Sequence, residues 1–184
     1  MSVPLFAKNG YGQGETALYR FSEHLAEAKA VIRSKSKKSM GVEGVWQDGR
    51  FVFEGTDAMA DIEKAPLDLA FPESGNGIAV QPLDHAIRVL TFSAVPPGAK
   101  LRLTYHVDLD PAAQMAKQAN YIYLDVFLGG TKLQRLHIPV ERGLKKQIID
   151  PGAASFLKRK VIVGFEIIAE KPETSRLVFD AEMF

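Results

Sequence analysis

Tyr121-Ile-Tyr-Leu-Asp-Val-Phe-Leu-Gly-Gly130, followed by Thr131-Lys-Leu-Gln-Arg-Leu-His-Ile138, is the stretch whose reading decides the fold. Ile122, Leu124, Val126 and Leu128 alternate with Tyr121, Tyr123, Asp125 and Phe127. That period of two puts an apolar row on one face of an extended chain. Gly129-Gly130 then turns the chain into a second extended run. The pattern continues outward in both directions. Lys100–Val107 sets Leu101, Leu103, Tyr105 and Val107 against Arg102, Thr104 and His106. Val42–Trp46 and Arg50–Glu54 flank Asp48-Gly49, a strong hairpin signal because glycine accepts positive φ. Ala86–Phe92 ends at Val95-Pro-Pro-Gly98, Leu144–Ile149 is short, and Leu177–Glu182 closes the domain.

Lys160–Ala169 is apolar on both faces, as expected of a central strand. Burying Val161, Val163, Phe165 and Ile167 is worth roughly 1.5–3 kcal/mol each before entropy. The sum of roughly 6–12 kcal/mol rivals the net stability of a whole domain, so this face belongs in a core. Strands about ten residues apart, joined by Pro/Gly turns, predict an antiparallel sandwich rather than βαβ units.

Two segments depart from that pattern. Asp110-Pro111 through Asn120 predicts a short helix with Asp110 as N-cap and Pro111 at its first position. Ser22–Arg33 is ambiguous: Phe21, Leu25, Ala28 and Ile32 fall at helical spacing, yet Ala30-Val-Ile32 also reads as a strand. Periodicity alone prefers the longer helix.

The chain has 184 residues and no cysteine, with 23 Lys plus Arg against 22 Asp plus Glu. Near-neutrality argues against a globally basic nucleic-acid binder. The absence of Cys excludes disulfides, thiolate metal sites and a Cys nucleophile. No apolar run approaches the roughly 18 residues a membrane helix needs. The opening residues lack a basic, then apolar, secretory pattern, so no signal peptide is expected in this chain. Gly10, Gly12 and Gly14 lie where a phosphate loop would also require a Lys-Ser/Thr pair, so residues 1–16 read as a flexible leader to a domain over 17–184. Four cations in Arg33–Lys38 have no aromatic residue among them to stack bases, and read as a solvated loop.

Chemistry-bearing motifs are scarce. His24, His85, His106 and His137 form no metal-ligand spacing, although His106 and His137 are expected in strands that could bring them together. No G-x-S-x-G elbow anchors a hydrolase triad. Asp108 and Asp110 read more simply as a turn former and a cap than as paired catalytic carboxylates.

The order of these pieces resembles the galactose-binding-domain-like jelly rolls, the fold of many carbohydrate-binding modules and discoidin-type domains. The residues that carry it begin with Tyr19-Arg-Phe-Ser-Glu-His-Leu-Ala-Glu-Ala28 and Gly77-Ile-Ala-Val-Gln-Pro-Leu-Asp84. Ile87–Phe92 with Val95–Gly98 and Tyr121–Gly130 follow, and Glu141–Lys146, Ile148–Asp150 and Val178–Glu182 complete the set. The resemblance implies an all-β, antiparallel jelly-roll β-sandwich with one or two short helices. At the entry it implies a turn near Ser22–Ala26 and a strand through Ala30–Arg33. It also implies an extracytoplasmic setting and a carbohydrate ligand. Similar domains often hold a structural calcium between an early loop and the last strand; Asp57, Asp61 and Glu182 stand at matching places, without a D-x-D-x-D run. No other cofactor is expected.

Sugar recognition calls for an aromatic platform with hydrogen-bonding side chains. The candidates are Trp46 beside the Asp48-Gly49 turn, Tyr121 and Tyr123 on one strand, and Arg102, His106, Arg135 and His137 on two others. If those last two strands line one concave face, they present a cationic surface suited to acidic sugars or a partner's carboxylates. The sequence reading is thus a non-enzymatic module that binds glycan at the cell envelope or outside the cell. The alternative is a structural or protein-interaction sandwich with no small-molecule site.

Overall fold

The computed structural model describes residues 16–35, 41–55, 62–67, 75–83, 86–109, 121–141, 143–152, 159–169 and 175–184. The predicted helix after Asp110, the Gly-rich leader, His85, Asp57 and Asp61 lie outside them. Fourteen strands are described: β1 (Tyr19–Arg20), β2 (Lys29–Ser34), β3 (Val42–Glu43), β4 (Val45–Gln47), β5 (Arg50–Val52), β6 (Ile62–Pro66) and β7 (Asn76–Val80) in the first half. The second half adds β8 (Ala86–Val95), β9 (Leu101–Leu109), β10 (Tyr121–Leu128), β11 (Thr131–Pro139), β12 (Lys145–Ile149), β13 (Val161–Ala169) and β14 (Ser175–Met183). One 3₁₀ turn, Leu25–Glu27, precedes β2. The entry is therefore a turn followed by a strand, and the longer helix suggested by periodicity is absent there. Ala30 and Ile32 are buried on one face of β2, whereas Lys29 and Arg33 are exposed on the other.

All pairings are antiparallel. The first sheet runs β12-β9-β14-β7-β6-β5-β4, with β1 also on β14; the second runs β11-β10-β13-β8-β2-β3. From β7 onward the chain passes between the sheets at almost every connection, wrapping a sandwich around a large shared apolar interior, with Leu67, Ala79 and Val178 in a smaller cluster of their own. Asp48 (φ 49°) and Gly49 (φ 86°) both adopt positive φ, the geometry of a type I′ turn between β4 and β5.

The core forms where the inward rows of the two sheets meet. Phe21, Phe92 and Phe165 contact one another edge to face, with centroids 4.9–6.1 Å apart, and Phe179 lies 5.4 Å from Phe165. Val161, Val163, Phe165 and Ile167 are all buried on β13, at the middle of the second sheet. β14 is more deeply enclosed still. Leu177, Phe179, Ala181 and Met183 point inward, and Val178, Asp180 and Glu182 on its opposite face are buried as well. That outer face of β14 is where polar groups gather.

A cleft on the outer face of the first sheet

Strand register builds the site. Ile148 of β12, Arg102 of β9 and Glu182 of β14 lie side by side, and Arg20 of β1 pairs with Glu182 from the far side. The next outward row carries Lys146, Thr104 and Asp180. Arg20, Arg102, Glu182 and this second row, with Leu67 and Leu144, line an open cleft of about 230 Å³.

Glu182 is the hub. Arg20 Nε and Nη2 donate to its Oε1 at 3.1 and 2.5 Å, and Arg102 Nε and Nη2 donate to its Oε2 at 2.8 and 2.6 Å. A carboxylate has about four lone-pair sites, and four N–H groups fill them here. Burial alone would push the Glu182 carboxyl up, but Arg20 and Arg102 outweigh it and hold it below the ordinary glutamate range. The Arg102 guanidinium also lies over the Phe184 ring, 4.3 Å from its centroid. Both arginines are thus fixed in place while more than a third of each side chain stays open to solvent.

Asp180 has the opposite character. Its Oδ1 accepts from the backbone N–H of Ser22 (3.1 Å) and of Ala181 (2.9 Å), and Arg20 Nε stands 3.5 Å from Oδ2. Burial pushes this carboxyl up to about 6, against the pull of Ser22 and Arg20 and with the help of neighbouring Glu182. Two carboxyls with pKa values driven apart is the pattern of an acid–base pair. Glu182, however, has no lone pair left to attack or accept a proton, so the arrangement holds donors in place rather than supplying a nucleophile.

The residues expected to bind ligand are split between two faces. Arg102 lines the cleft, and His106 is half-buried two positions along the same outer face, level with Val178. Arg135 and His137 project from β11, which belongs to the other sheet, and their neighbours across the register are Asp125 and Tyr123. The arrangement in which Arg102, His106, Arg135 and His137 would line one concave face, and His106 and His137 could meet, is corrected: β9 and β11 belong to different sheets and the core separates them. Both strands alternate as predicted, but local alternation does not say to which sheet a strand belongs.

On the second sheet, Asp125 is buried beneath two cations. Arg135 Nε and Nη2 donate to its oxygens at 2.6 and 2.7 Å, and Lys132 Nζ donates at 2.7 Å. Burial would raise its pKa, but Arg135 and Lys132 prevail and lower it. Arg135 also lies over Tyr123, and His137 meets the same ring edge-on at 4.9 Å. Tyr123 is therefore packed among its neighbours, while Tyr121 is exposed at the strand start. Trp46, on edge strand β4, packs against the core and meets Phe51 at 5.0 Å.

Calcium does not fit Glu182 as it stands, because a cation would have to displace both guanidiniums from a carboxylate whose acceptor sites are filled. Among the described residues no three His, Asp or Glu side chains group as metal ligands. Arg20 and Asp180 were not among the sequence candidates. The signal that could have found them is Phe179-Asp-Ala-Glu-Met183, where two acids share one face of the otherwise apolar run Leu177–Met183 and so require counter-charges.

No family model matches the chain, and no curated protein does. Its structural neighbours include carbohydrate-binding modules. It is similar to the xylan-binding module CBM15, with a TM-score of 0.41 and 7% identity over 84% of this chain and 90% of that one. It is similar to the CBM36-1 domain of a multidomain xylanase from the hindgut metagenome of Trinervitermes trinervoides, with a TM-score of 0.40 and 9% identity over 85% and 96%. TmCBM61, solved with β-1,4-galactotriose, gives a TM-score of 0.40 and 14% identity over 70% and 83%. What this chain's cleft binds has to be argued from its own side chains.

Proposed function

We propose that the chain is a non-catalytic binding module that recognises carbohydrate through the cleft on the outer face of the first sheet. The observation that carries this reading is the saturation of Glu182 by Arg20 and Arg102. It removes the cleft's strongly ionised carboxylate from chemistry and fixes two guanidiniums whose Nη1 groups point away from Glu182. Thr104 and Lys146 add polar groups, and Leu67 and Leu144 add apolar walls, the mixture that a sugar's hydroxyls and C–H faces require. Because Glu182 of β14 fixes Arg20 of β1 and Arg102 of β9, little ordering entropy is lost at these two side chains when a ligand arrives. The volume lies below the roughly 300–1,000 Å³ of sites for drug-sized ligands, which suits a single sugar ring. On this reading the module works on glycan at the cell envelope or outside the cell.

The test is thermal melting with a panel of mono- and oligosaccharides. A ligand at 100 times its Kd stabilises by about 2.7 kcal/mol, a Tm rise of roughly 5–10 °C for a domain of this size. Arg102→Ala should abolish the rise. A panel with no member that shifts Tm would reject the reading in favour of a structural or protein-interaction sandwich.

A further inference from the structure

We infer that the sugar this cleft takes carries a single negative charge, a ring carboxylate of the uronic-acid class, held by the free edges of Arg20 and Arg102 and by Lys146. This inference rests on the carbohydrate reading and narrows it. Arg20, Arg102 and Lys146 bring three positive charges into the cleft, and Asp180 and Glu182 are its acids. Glu182 is spent internally, since both of its oxygens face guanidiniums. With Asp180 ionised the residues lining the cleft keep one positive charge in excess, and with Asp180 neutral two; exposed Glu23, 4.0 Å from Arg20 Nη1, offsets this in part from the rim. A neutral sugar leaves that excess unanswered; one carboxylate answers it.

Geometry agrees with the charge count. Each arginine turns Nε and Nη2 toward Glu182 and so leaves Nη1 on its other edge. The nearest other acid to Arg20 Nη1 is Glu23, at 4.0 Å, a distance too long for a hydrogen bond. Lys146 stands across Thr104 from Asp180 and is exposed. A carboxylate in this cleft receives charge-assisted hydrogen bonds, roughly twice as strong as those a neutral hydroxyl accepts. The walls bear on specificity too: Leu67 and Leu144 offer no aromatic plane for stacking, so discrimination falls to the polar groups.

Calorimetric titration of the full chain separates the outcomes. The probes are a galacturonic acid trimer, the same trimer as its methyl ester, neutral galactotriose and a sulfated galactose trimer, each at low and at moderate salt. The free acid is expected to bind at least tenfold more tightly than its methyl ester, with affinity falling as salt rises. Lys146→Glu, at an exposed position, should weaken the acid by about tenfold, weaken the methyl ester by much less and keep the parent Tm. Equal binding of acid and ester, or preference for galactotriose, overturns the charged-ligand inference while leaving the carbohydrate reading intact. Binding of the sulfated trimer alone overturns the choice of carboxylate. Failure of every probe, and of the wider sugar panel, overturns the carbohydrate reading itself.

Discussion

Glu182 and Asp180 lie two residues apart on one strand face, yet their surroundings give them opposite tendencies. Removing the Glu182 carboxylate leaves Arg20 and Arg102 facing each other without their shared anion. Glu182→Ala is therefore expected to cost about 1.5–3 kcal/mol in urea unfolding, the range for hydrogen bonds to charged groups. Arg102→Ala should cost less, because Arg20 still holds Glu182. Asp180 is predicted to show itself through pH. Its folded-state pKa of about 6 lies above the ordinary 3.8, so its contribution to stability is fully present below about pH 4 and lost as pH rises through 6. An Asp180→Asn variant keeps an acceptor for Ser22 and Ala181 and should melt above the parent at pH 8. That gap should close on acidification and vanish below pH 4. Glu182 and Asp125, both held low, act in the other direction: the stability they give is present above their ordinary values and lost as acid protonates them. Melting temperatures measured from pH 3 to 8 test both signs.

At the scale of elements, strands were legible wherever burial enforces alternation. β10 follows the expected range, and β9, β11, β12, β13 and β14 follow theirs to within a few residues. β6 carried almost no signal, because Ile62 is its one buried apolar residue and Pro66 ends it. The helix-or-strand ambiguity at Ser22–Arg33 came from a real feature: Leu25 is buried on the 3₁₀ turn, and Ala30 and Ile32 are buried on the strand after it, so two short elements mimic one helical period. The site was less legible than the strands. Arg102 was picked out by alternation, but its partners Arg20 and Glu182 are 82 and 80 residues distant in sequence, and pairing across β1, β14 and β9 is settled by the whole sheet. For the same reason Arg135 was grouped with Arg102 although its strand belongs to the other layer. The interlayer packing has its own test: Phe165→Ala, at the centre of the aromatic contacts, should cost about 3–5 kcal/mol in denaturant unfolding.

Across the whole molecule, a cysteine-free and nearly neutral chain is held together by two antiparallel sheets and one shared interior. Because the net charge is only +1, selective ionic recognition has to come from a local imbalance, and the cleft beside β14 supplies one. With Glu182 committed to its arginines, EDTA is expected to leave Tm unchanged at neutral pH; a clear drop would reveal a structural cation. All of this depends on carbohydrate binding at the outer face of the first sheet. Amide chemical-shift mapping during titration with the galacturonic acid trimer tests it most directly. Perturbations are expected to cluster at Arg20, Arg102, Thr104, Lys146 and Glu182. Perturbations confined to Tyr121, Tyr123, Arg135 and His137 on the opposite face would contradict it.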